Sequence, residues 1–264
     1  MATEANGSGD GLDGELDGEL VITGRITTAS NATFLAQIGD TAVVYKPVAG
    51  ENPLWDFPDG TLAQREAAAY LVSEAFGWNV VPRTWLRSGP MGVGMVQLWQ
   101  DIDPAQDAVD LVTAERLPDT GWRRVLDGTD EEDREVTLIH EDTDALRRMA
   151  IFDVVANNAD RKGGHILAMP DGHRHGVDHG LTFHAEHKLR TVLWGFTGDE
   201  LRPDELAAID GVRTALYDEL GEALTALITP DELDALDARC ERLLSRAHFP
   251  APRGHMPAVP WPLF

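Results

Sequence analysis

The sequence predicts an α+β fold of two lobes, in which a small antiparallel sheet precedes a mainly helical half. Three short β-rich runs, at 19–27, 32–39 and 41–47, are separated by the turn-forming pairs Ser-Asn and Gly-Asp, which predicts antiparallel strands. A long helical pattern follows at 60–77, and two further β-rich runs come after it. Beyond Gln100 a helical pattern dominates most of the remaining chain, so we expect sheet and helices to form separate lobes.

Capping residues mark the start of two helices. Thr61 and Gln64 have the spacing of a capping box, and Gly77 stands where a C-terminal glycine is expected. Farther along, the segment 229–232 combines a threonine cap, a proline at the first helical position and a glutamate three residues after the cap. We expect a helix to begin at each of these sites.

Composition divides the chain into four parts. Its first residues are mostly Gly, Asp and Glu, which offer little apolar surface to offset the entropy of ordering, so we expect them to be disordered. The Pro-rich end is expected to lie extended on the surface, held by Trp261 and Phe264. The four expected parts are an acidic tail at 1–19, the sheet lobe with one helix at 20–100, the helical lobe at 101–248 and the Pro-rich tail at 249–264.

The charge of the chain argues against several classes of partner. It carries 45 acidic residues against 22 Lys and Arg, a formal net charge of −23. Such a surface repels nucleic-acid phosphates and anionic lipid headgroups, so we expect neither nucleic acid nor membrane as a partner. The chain begins without the pattern of a signal peptide, no apolar run is long enough to span a bilayer, and Cys240 is the single cysteine. These features predict a cytoplasmic protein.

Lys46 and Glu66 form the first candidate pair. Lys46 ends the third β-rich run and follows a small-residue turn at 28–31, where backbone N–H groups with Ser30 and Asn31 are suited to hold phosphate oxygens. Glu66 lies on the apolar face of the predicted helix, where an unpaired carboxylate would be costly. We therefore predict that Glu66 pairs with Lys46. The alternative is a solvated lysine at a strand end and a glutamate at the edge of an amphipathic helix.

Two aspartates flank a predicted short hairpin. Asp160 lies in a polar, Gly-containing loop between an apolar helix and a strand-like segment, and Asp178 ends the next strand-like segment ahead of a His-Gly turn. Taken singly, each is also compatible with ordinary turn chemistry. Together they are expected to lie at one edge of the hairpin, where two carboxylates can share a divalent ion.

These motifs resemble those of the atypical kinase superfamily that includes the phosphatidylinositol 3- and 4-kinases and the HipA toxin kinases, here as a small stand-alone domain. NNADRKGGHIL is similar to a hybrid of the Asp-Arg-His and Asn-Asn-Asp-Asp-His catalytic loops, VDHG to the Asp-Phe-Gly metal-binding triplet, and VVYKP to the HipA-type strand with its ATP lysine. The resemblance extends over 20–183 in element order. It implies a two-lobed protein-kinase-like fold that binds ATP between the lobes and phosphorylates a hydroxyl.

The resemblance implies a role for each motif residue. Lys46 would bind the α- and β-phosphates of ATP, and Glu66 would orient Lys46. Asp160 would position or deprotonate the acceptor hydroxyl, and Asp178 would hold magnesium. The segment 96–100 would be the hinge between the lobes. The residues expected to meet the adenine there are Gln97, Leu98 and Trp99.

One position departs from the kinase pattern. Five residues after Asp160, where kinases carry a metal-binding Asn, this chain has His165, and imidazole prefers softer ions than an amide oxygen does. We therefore expect a preference shifted from Mg²⁺ toward Mn²⁺. Alternatively, Asn157 or Asn158 supplies the missing amide, or catalysis is lost. Lys162 is expected to stabilise the transferring phosphoryl group, with a solvated loop lysine as the alternative.

Two rival functions follow from the same segment. Six of the nine histidines lie between 165 and 187, so a histidine-rich zinc or manganese site of a hydrolase or metal-binding module is a second hypothesis. A pseudokinase, which binds nucleotide without catalysis, is a third, and His165 favours it. If the chain is a kinase, the acidic surface disfavours lipid acceptors, and we expect a protein hydroxyl or a small polar molecule.

Overall fold

The computed structural model describes residues 16, 18–27, 31–58, 60–254 and 257–264. Five antiparallel strands form the first lobe, in the order β1-β2-β3-β5-β4. Their bounds are Leu20–Ile26 (β1), Thr33–Ile38 (β2), Thr41–Pro47 (β3), Thr84–Gly89 (β4) and Gly92–Leu98 (β5). Alternating side chains from these strands pack into a small core that includes Ile38, Val43, Tyr45 and Val96. Most of the expected acidic tail, 1–15 and Asp17, lies outside the described residues.

Helix α1, Leu62–Phe76, packs against this sheet and against the helices of the second lobe. Its C-terminus is Gly77 in the left-handed conformation, at φ 65°, as the sequence predicted. The predicted Thr61–Gln64 capping box is wrong, because the Thr61 hydroxyl donates to the Pro58 carbonyl instead. The carboxylate of Glu51 accepts from the first two helical N–H groups, at 3.1 and 2.9 Å, and so caps the helix from a distant loop.

A second antiparallel sheet lies where a helical pattern was expected. Its strands are Val109–Thr113 (β6), Trp122–Thr129 (β7) and Glu135–Glu141 (β8), in the order β6-β8-β7. The buried face of β8 packs on the core of the second lobe, whereas β7 leaves much of its surface exposed. The helical part therefore begins only after residue 141, later than the sequence indicated.

Helices and one short hairpin complete the second lobe. Helix α2, Asp144–Ala156, is buried over most of its length, and its buried residues include the charged Arg147 and Asp153. The remaining elements are Ile166–Ala168 (β9), Arg174–Gly176 (β10), Pro203–Ala215 (α3), Glu219–Leu224 (α4) and Pro230–Arg246 (α5). The predicted capping box at Thr229 and Glu232 is present at the start of α5. The α+β fold with an antiparallel sheet lobe and a mainly helical second lobe is thus confirmed.

The Pro-rich segment returns to the second lobe, and its described residues form neither helix nor strand. The carbonyl of Ala258 accepts from the Trp194 indole at 2.7 Å, and that of Leu263 accepts from the Gly163 N–H at 2.8 Å. Phe264 packs on Gly163, but Trp261 is 85% exposed and does not hold the segment as expected. Within the described ranges, no helix combines the length and the apolar composition needed to cross a bilayer.

Candidate active site

Lys46 lies near the end of β3 and reaches into the cleft between the lobes. Its ammonium is 2.7 Å from Glu66 Oε1 on α1 and 2.7 Å from Asp178 Oδ1, which follows β10. Burial alone would lower the pKa of Lys46, but the two carboxylates outweigh it and raise the pKa above its ordinary value. The lysine is therefore held fully charged by one acid from each lobe.

Glu66 links the sheet lobe to the turn after Asp178. Its side chain is 2% exposed, and while Oε1 accepts from Lys46, Oε2 accepts from the backbone N–H of His179 at 2.8 Å. A buried carboxylate is stable only with such partners. The sequence predicted the Lys46 contact from the polarity of the helix face, whereas the His179 contact had no sequence signal.

Asp178 adopts an unusual backbone conformation, with φ at 62°. This left-handed geometry is uncommon for a residue other than glycine and is a source of local strain. Lys46 holds the pKa of Asp178 well below its usual range. The carboxylate contacts Lys46 directly, because opposite charges attract strongly at a partly buried site.

Asp160 lies in the loop after α2 and lines the same cleft. Its backbone N–H donates to Asn158 Oδ1, and its carboxylate is 3.4 Å from the Lys162 ammonium. Burial raises the pKa of Asp160 above the ordinary value, although Lys162 and His165 act in the opposite direction. A carboxylate with a raised pKa is a better proton acceptor than an ordinary one.

Arg161 supports this loop from beneath and was not singled out in the sequence. Its guanidinium is fully buried, pairs with Asp153 at 2.9 Å and donates to the carbonyls of His165 and Val177. It also donates to His179 Nε2 at 2.6 Å. A charge buried this deeply needs several partners, and here they tie the loop of Asp160 to the turn of Asp178. No local pattern distinguishes such an arginine from an exposed one.

Asn157 and Asn158, the alternative sources of a metal-binding amide, both hydrogen-bond to other parts of the protein. Asn157 donates to the carbonyls of His184 and Glu186, and its amide oxygen accepts from the Lys188 N–H. Asn158 donates to Asp153 and accepts from the Asp160 N–H. Both side chains are buried, and each holds a backbone segment in place through these hydrogen bonds.

His165 is oriented toward Asp178. Its Nδ1 lies 2.8 Å from the Asp160 carbonyl and must donate to it, because a carbonyl oxygen only accepts. Burial lowers the pKa of the ring, so Nε2 carries a lone pair and faces Asp178 Oδ2 at 3.3 Å. One carboxylate oxygen and one imidazole nitrogen thus converge, a donor pair that fits a divalent ion completed by phosphate oxygens and water.

The six clustered histidines do not gather around one point. His173 and His175 stack edge to face at 4.4 Å, but His173 bonds the Asn79 carbonyl and burial lowers the pKa of His175 to about 4. Across the part of the chain that the structure describes, no group of three or more His, Cys, Asp or Glu side chains could hold a metal ion. The zinc-module hypothesis therefore has no geometric support.

The wider part of the cleft has a volume of about 810 Å³ and is lined by residues of β3, β5 and the second lobe. Gln97, Leu98 and Trp99, the residues expected to meet an adenine, line it. Two backbone N–H groups of this segment already have partners, however. The Leu98 N–H donates to the Arg83 carbonyl, and the Trp99 N–H donates to the Ala42 carbonyl. The Gln97 amide is buried and donates to Thr84. The Trp99 ring, 43% exposed, remains free to contact a ligand ring.

A second, smaller part of the cleft, about 130 Å³, lies between α1 and the loop at 51–54. Asn31 lines it, and its side-chain oxygen accepts from the Asn52 N–H at 2.8 Å. Ser30, the other residue predicted to hold phosphate, lies outside the described residues together with 28–29. Lys46, Glu66, Asp160 and Asp178 line this part as well, so the four expected residues share one cleft.

Comparisons with known proteins place the chain among relatives. A Mycobacterium tuberculosis protein, Rv2133c, is 52% identical over 261 residues, which cover 94% of this chain and 93% of that protein. No protein-family model matches the chain. Among solved structures, the Helicobacter pylori proinflammatory kinase CtkA is similar with a TM-score of 0.44 and 11% identity, over 88% of this chain and 93% of that one.

Proposed function

This chain belongs to the family of the Mycobacterium tuberculosis protein Rv2133c, and we propose that it is an ATP-dependent phosphotransferase related to the phosphatidylinositol 3- and 4-kinases. The observation that supports this most directly is the Lys46 ammonium, held at 2.7 Å by Glu66 of one lobe and at 2.7 Å by Asp178 of the other, with Asp160 in the same cleft. Phosphoryl transfer needs this combination of a fixed cation, a metal-binding carboxylate and a carboxylate for the acceptor.

Each residue has a distinct task in this proposal. Lys46 binds the α- and β-phosphates and exchanges its contact with Asp178 for them, while Glu66 keeps the ammonium in place. Asp160 orients the acceptor hydroxyl and takes its proton, which its raised pKa favours. Lys162, beside Asp160, neutralises charge that develops on the transferring group.

Asp178 and His165 are the proposed ligands of a magnesium or manganese ion. The ion supplies charge neutralisation on the phosphates. His165 donates its other nitrogen to the Asp160 carbonyl, which fixes both the ring orientation and the backbone of the loop. The His165 ring therefore contacts both the backbone of Asp160 and the carboxylate of Asp178.

The adenine is proposed to lie in the wider part of the cleft. Trp99 contributes ring surface there, and because the Leu98 and Trp99 N–H groups already have partners, recognition rests on apolar contacts and carbonyl acceptors more than on those donors. Ser30 and Asn31 remain the proposed phosphate-loop residues. The acceptor is proposed to be a hydroxyl of a protein or of a small polar molecule, with no role for nucleic acid or membrane.

The test uses the purified full chain with γ-labelled ATP and either Mg²⁺ or Mn²⁺, following phosphate transfer and ATP hydrolysis. Asp160→Asn is expected to lower turnover by about 10²- to 10⁴-fold while nucleotide binding persists. Asp171→Asn, on the exposed hairpin turn, removes the same charge and should leave turnover unchanged. Turnover that is equal in wild type and Asp160→Asn would contradict the assignment.

The same experiment addresses a pseudokinase, which His165 in place of the kinase Asn favours. In that case no transfer or hydrolysis occurs with either ion, yet ATP still raises the melting temperature of the chain. Absence of both turnover and ATP-induced stabilisation would overturn the nucleotide-site proposal altogether.

A further inference from the structure

A small basic pocket lies in the second lobe, apart from the cleft. It is formed by α5, by the segment after the Asp178 turn and by the residues that follow α5. Its positively charged or titratable lining residues are Arg239, Arg242, Arg246, Arg253, His187 and His248. Four guanidinium groups on one small surface stand out in a chain whose formal net charge is −23.

Three of these arginines form no ion pair with a neighbouring carboxylate among the described residues. Among the described residues, the side chains of Arg242, Arg246 and Arg253 have no ion pair with a carboxylate, and Glu200 reaches only His248, at 4.0 Å. The acids of α5 that might have paired with them, Asp237 and Glu241, contact Arg213 on α3 instead. The cluster is therefore a concentration of like charge, which is unfavourable unless an anion joins it.

Arg239 strengthens this interpretation, because it is buried at the base of the pocket. Its Nε donates to the Val155 carbonyl at 2.7 Å, but Nη2 has no hydrogen-bond partner among the described residues. Burial, together with the charge of Arg242, lowers the pKa of Arg239 to about 10. A buried guanidinium with an unmet donor is costly for folding, and a ligand oxygen in the pocket would supply the missing acceptor.

The shape and the floor of the pocket restrict the ligand. The cavity is about 20 Å³, so it admits one terminal group of a ligand and not a whole molecule. Leu189, Trp194 and Leu243 provide apolar surface beside the guanidinium groups. Guanidinium forks match the oxygens of a phosphate, and a dianion balances several positive charges better than a single carboxylate does.

We propose that this basic pocket binds the phosphate group of a small phosphomonoester. The site is separate from the cleft and does not depend on the proposed phosphotransferase activity. The phosphate is the group that enters the pocket, where it contacts Arg242 and Arg246 and approaches Arg239, while the organic part lies against the apolar surface beside them.

The test measures binding of inorganic phosphate and of glycerol phosphate to the full chain by calorimetry, at ionic strength held constant with chloride. Arg242→Gln combined with Arg246→Gln is expected to weaken the binding of both ligands by about tenfold or more. The matched control, Arg124→Gln with Arg134→Gln, removes the same charge from exposed positions of the second sheet and its turn and should bind like the wild type. Circular dichroism of each variant verifies that it is folded.

Outcomes of this titration decide the proposal. Binding in the wild type and in the control, but not in the pocket variant, supports it. No binding to the wild type in the millimolar range, or equal binding to the two variants, overturns it. Neither readout requires turnover, so failure of the proposed kinase activity would leave this test intact.

Discussion

Burial governs how Lys46, Glu66 and Asp178 behave as individual residues. The Glu66 side chain is 2% exposed and that of Lys46 20%, so their attraction is screened far less than that of a surface pair. Glu66 also receives the His179 N–H, which prevents the carboxylate from turning away. Glu66 therefore helps to orient the Lys46 side chain.

Replacing Glu66 should accordingly impair function through Lys46. We expect Glu66→Gln to lower kcat/KM for ATP by about tenfold to a hundredfold, because a misdirected ammonium no longer meets the phosphates. Steady-state kinetics measure this effect. Glu74→Gln, an exposed position on the same helix, should leave kcat/KM unchanged, and an equal loss in both variants would mean that only helix stability is affected.

His165 offers a second prediction at the scale of one residue. Because Nε2 faces Asp178, we expect the wild type to favour Mn²⁺ over Mg²⁺, and His165→Asn to shift the ratio of the two turnover rates toward Mg²⁺ by about tenfold. His173→Asn serves as the control, since that ring bonds a backbone carbonyl away from the cleft. Equal turnover with both ions, unaltered in His165→Asn, would remove histidine from the metal site.

At the scale of elements, one buried ion pair joins α1, which packs on the first sheet, to α5 of the second lobe. Arg65 on α1 donates to Glu232 at the start of α5, at 2.5 Å, and to the Thr182 carbonyl at 2.6 Å. Glu232 simultaneously caps α5 through Thr229. The Arg65–Glu232 pair therefore positions α1, which carries Glu66, against the second lobe. Lys46 can then contact both Glu66 and Asp178.

The Pro-rich segment is a further element that shapes the cleft. Phe264 packs against Gly163, where an added Cβ would lie 2.5 Å from the ring, and it lines the wider part of the cleft together with Trp99. Only a residue without a side chain permits this approach. The segment thus contributes a wall to the site from outside the sheet lobe.

Removing that wall should weaken nucleotide binding. We expect Phe264→Ala to raise the Kd for ATP by about fivefold, which corresponds to the loss of a half-buried aromatic ring. Fluorescence or calorimetric titration measures the change. Trp261→Ala, an equally aromatic but 85% exposed position in the same segment, should bind ATP like the wild type. A Phe264→Ala variant with unchanged affinity would exclude the segment from the nucleotide site.

At the scale of the whole molecule, buried histidines make stability depend on pH. Burial lowers the pKa of His140 to about 4, and that of His175 likewise, so both are neutral in the folded chain. In the unfolded chain they take up protons near pH 6.5. Between about pH 6.5 and 4 the unfolded state binds more protons, so stability falls as the pH falls through this window.

For His140 alone the loss amounts to about 3 kcal/mol of unfolding free energy between neutral pH and pH 4. Urea unfolding at a series of pH values measures it. A His140→Gln variant should show a smaller pH slope than the wild type. An equal slope in the two proteins would contradict a neutral, buried His140.

Several features of the molecule were readable from local patterns. The alternation of the first three strands, the cap at Thr229 and the Gly77 terminus reflect backbone preferences that act over a few residues. The pairing of Lys46 with Glu66 followed from one buried acid on an apolar helix face. The sheet at 109–141 was missed because much of β7 is exposed and polar, so its period is weak.

The sequence by itself determined which residues carry charge, where the strands of the first lobe and the helices α1 and α5 lie, and that two aspartates flank a hairpin. Tertiary structure alone decided that Asp178 touches Lys46, that Arg161 joins two loops from below, and that arginines of α5 meet His187 in a basic pocket. Local propensity acts over one or two turns of chain. Contacts between separate elements depend on how whole faces pack, and no short pattern specifies that.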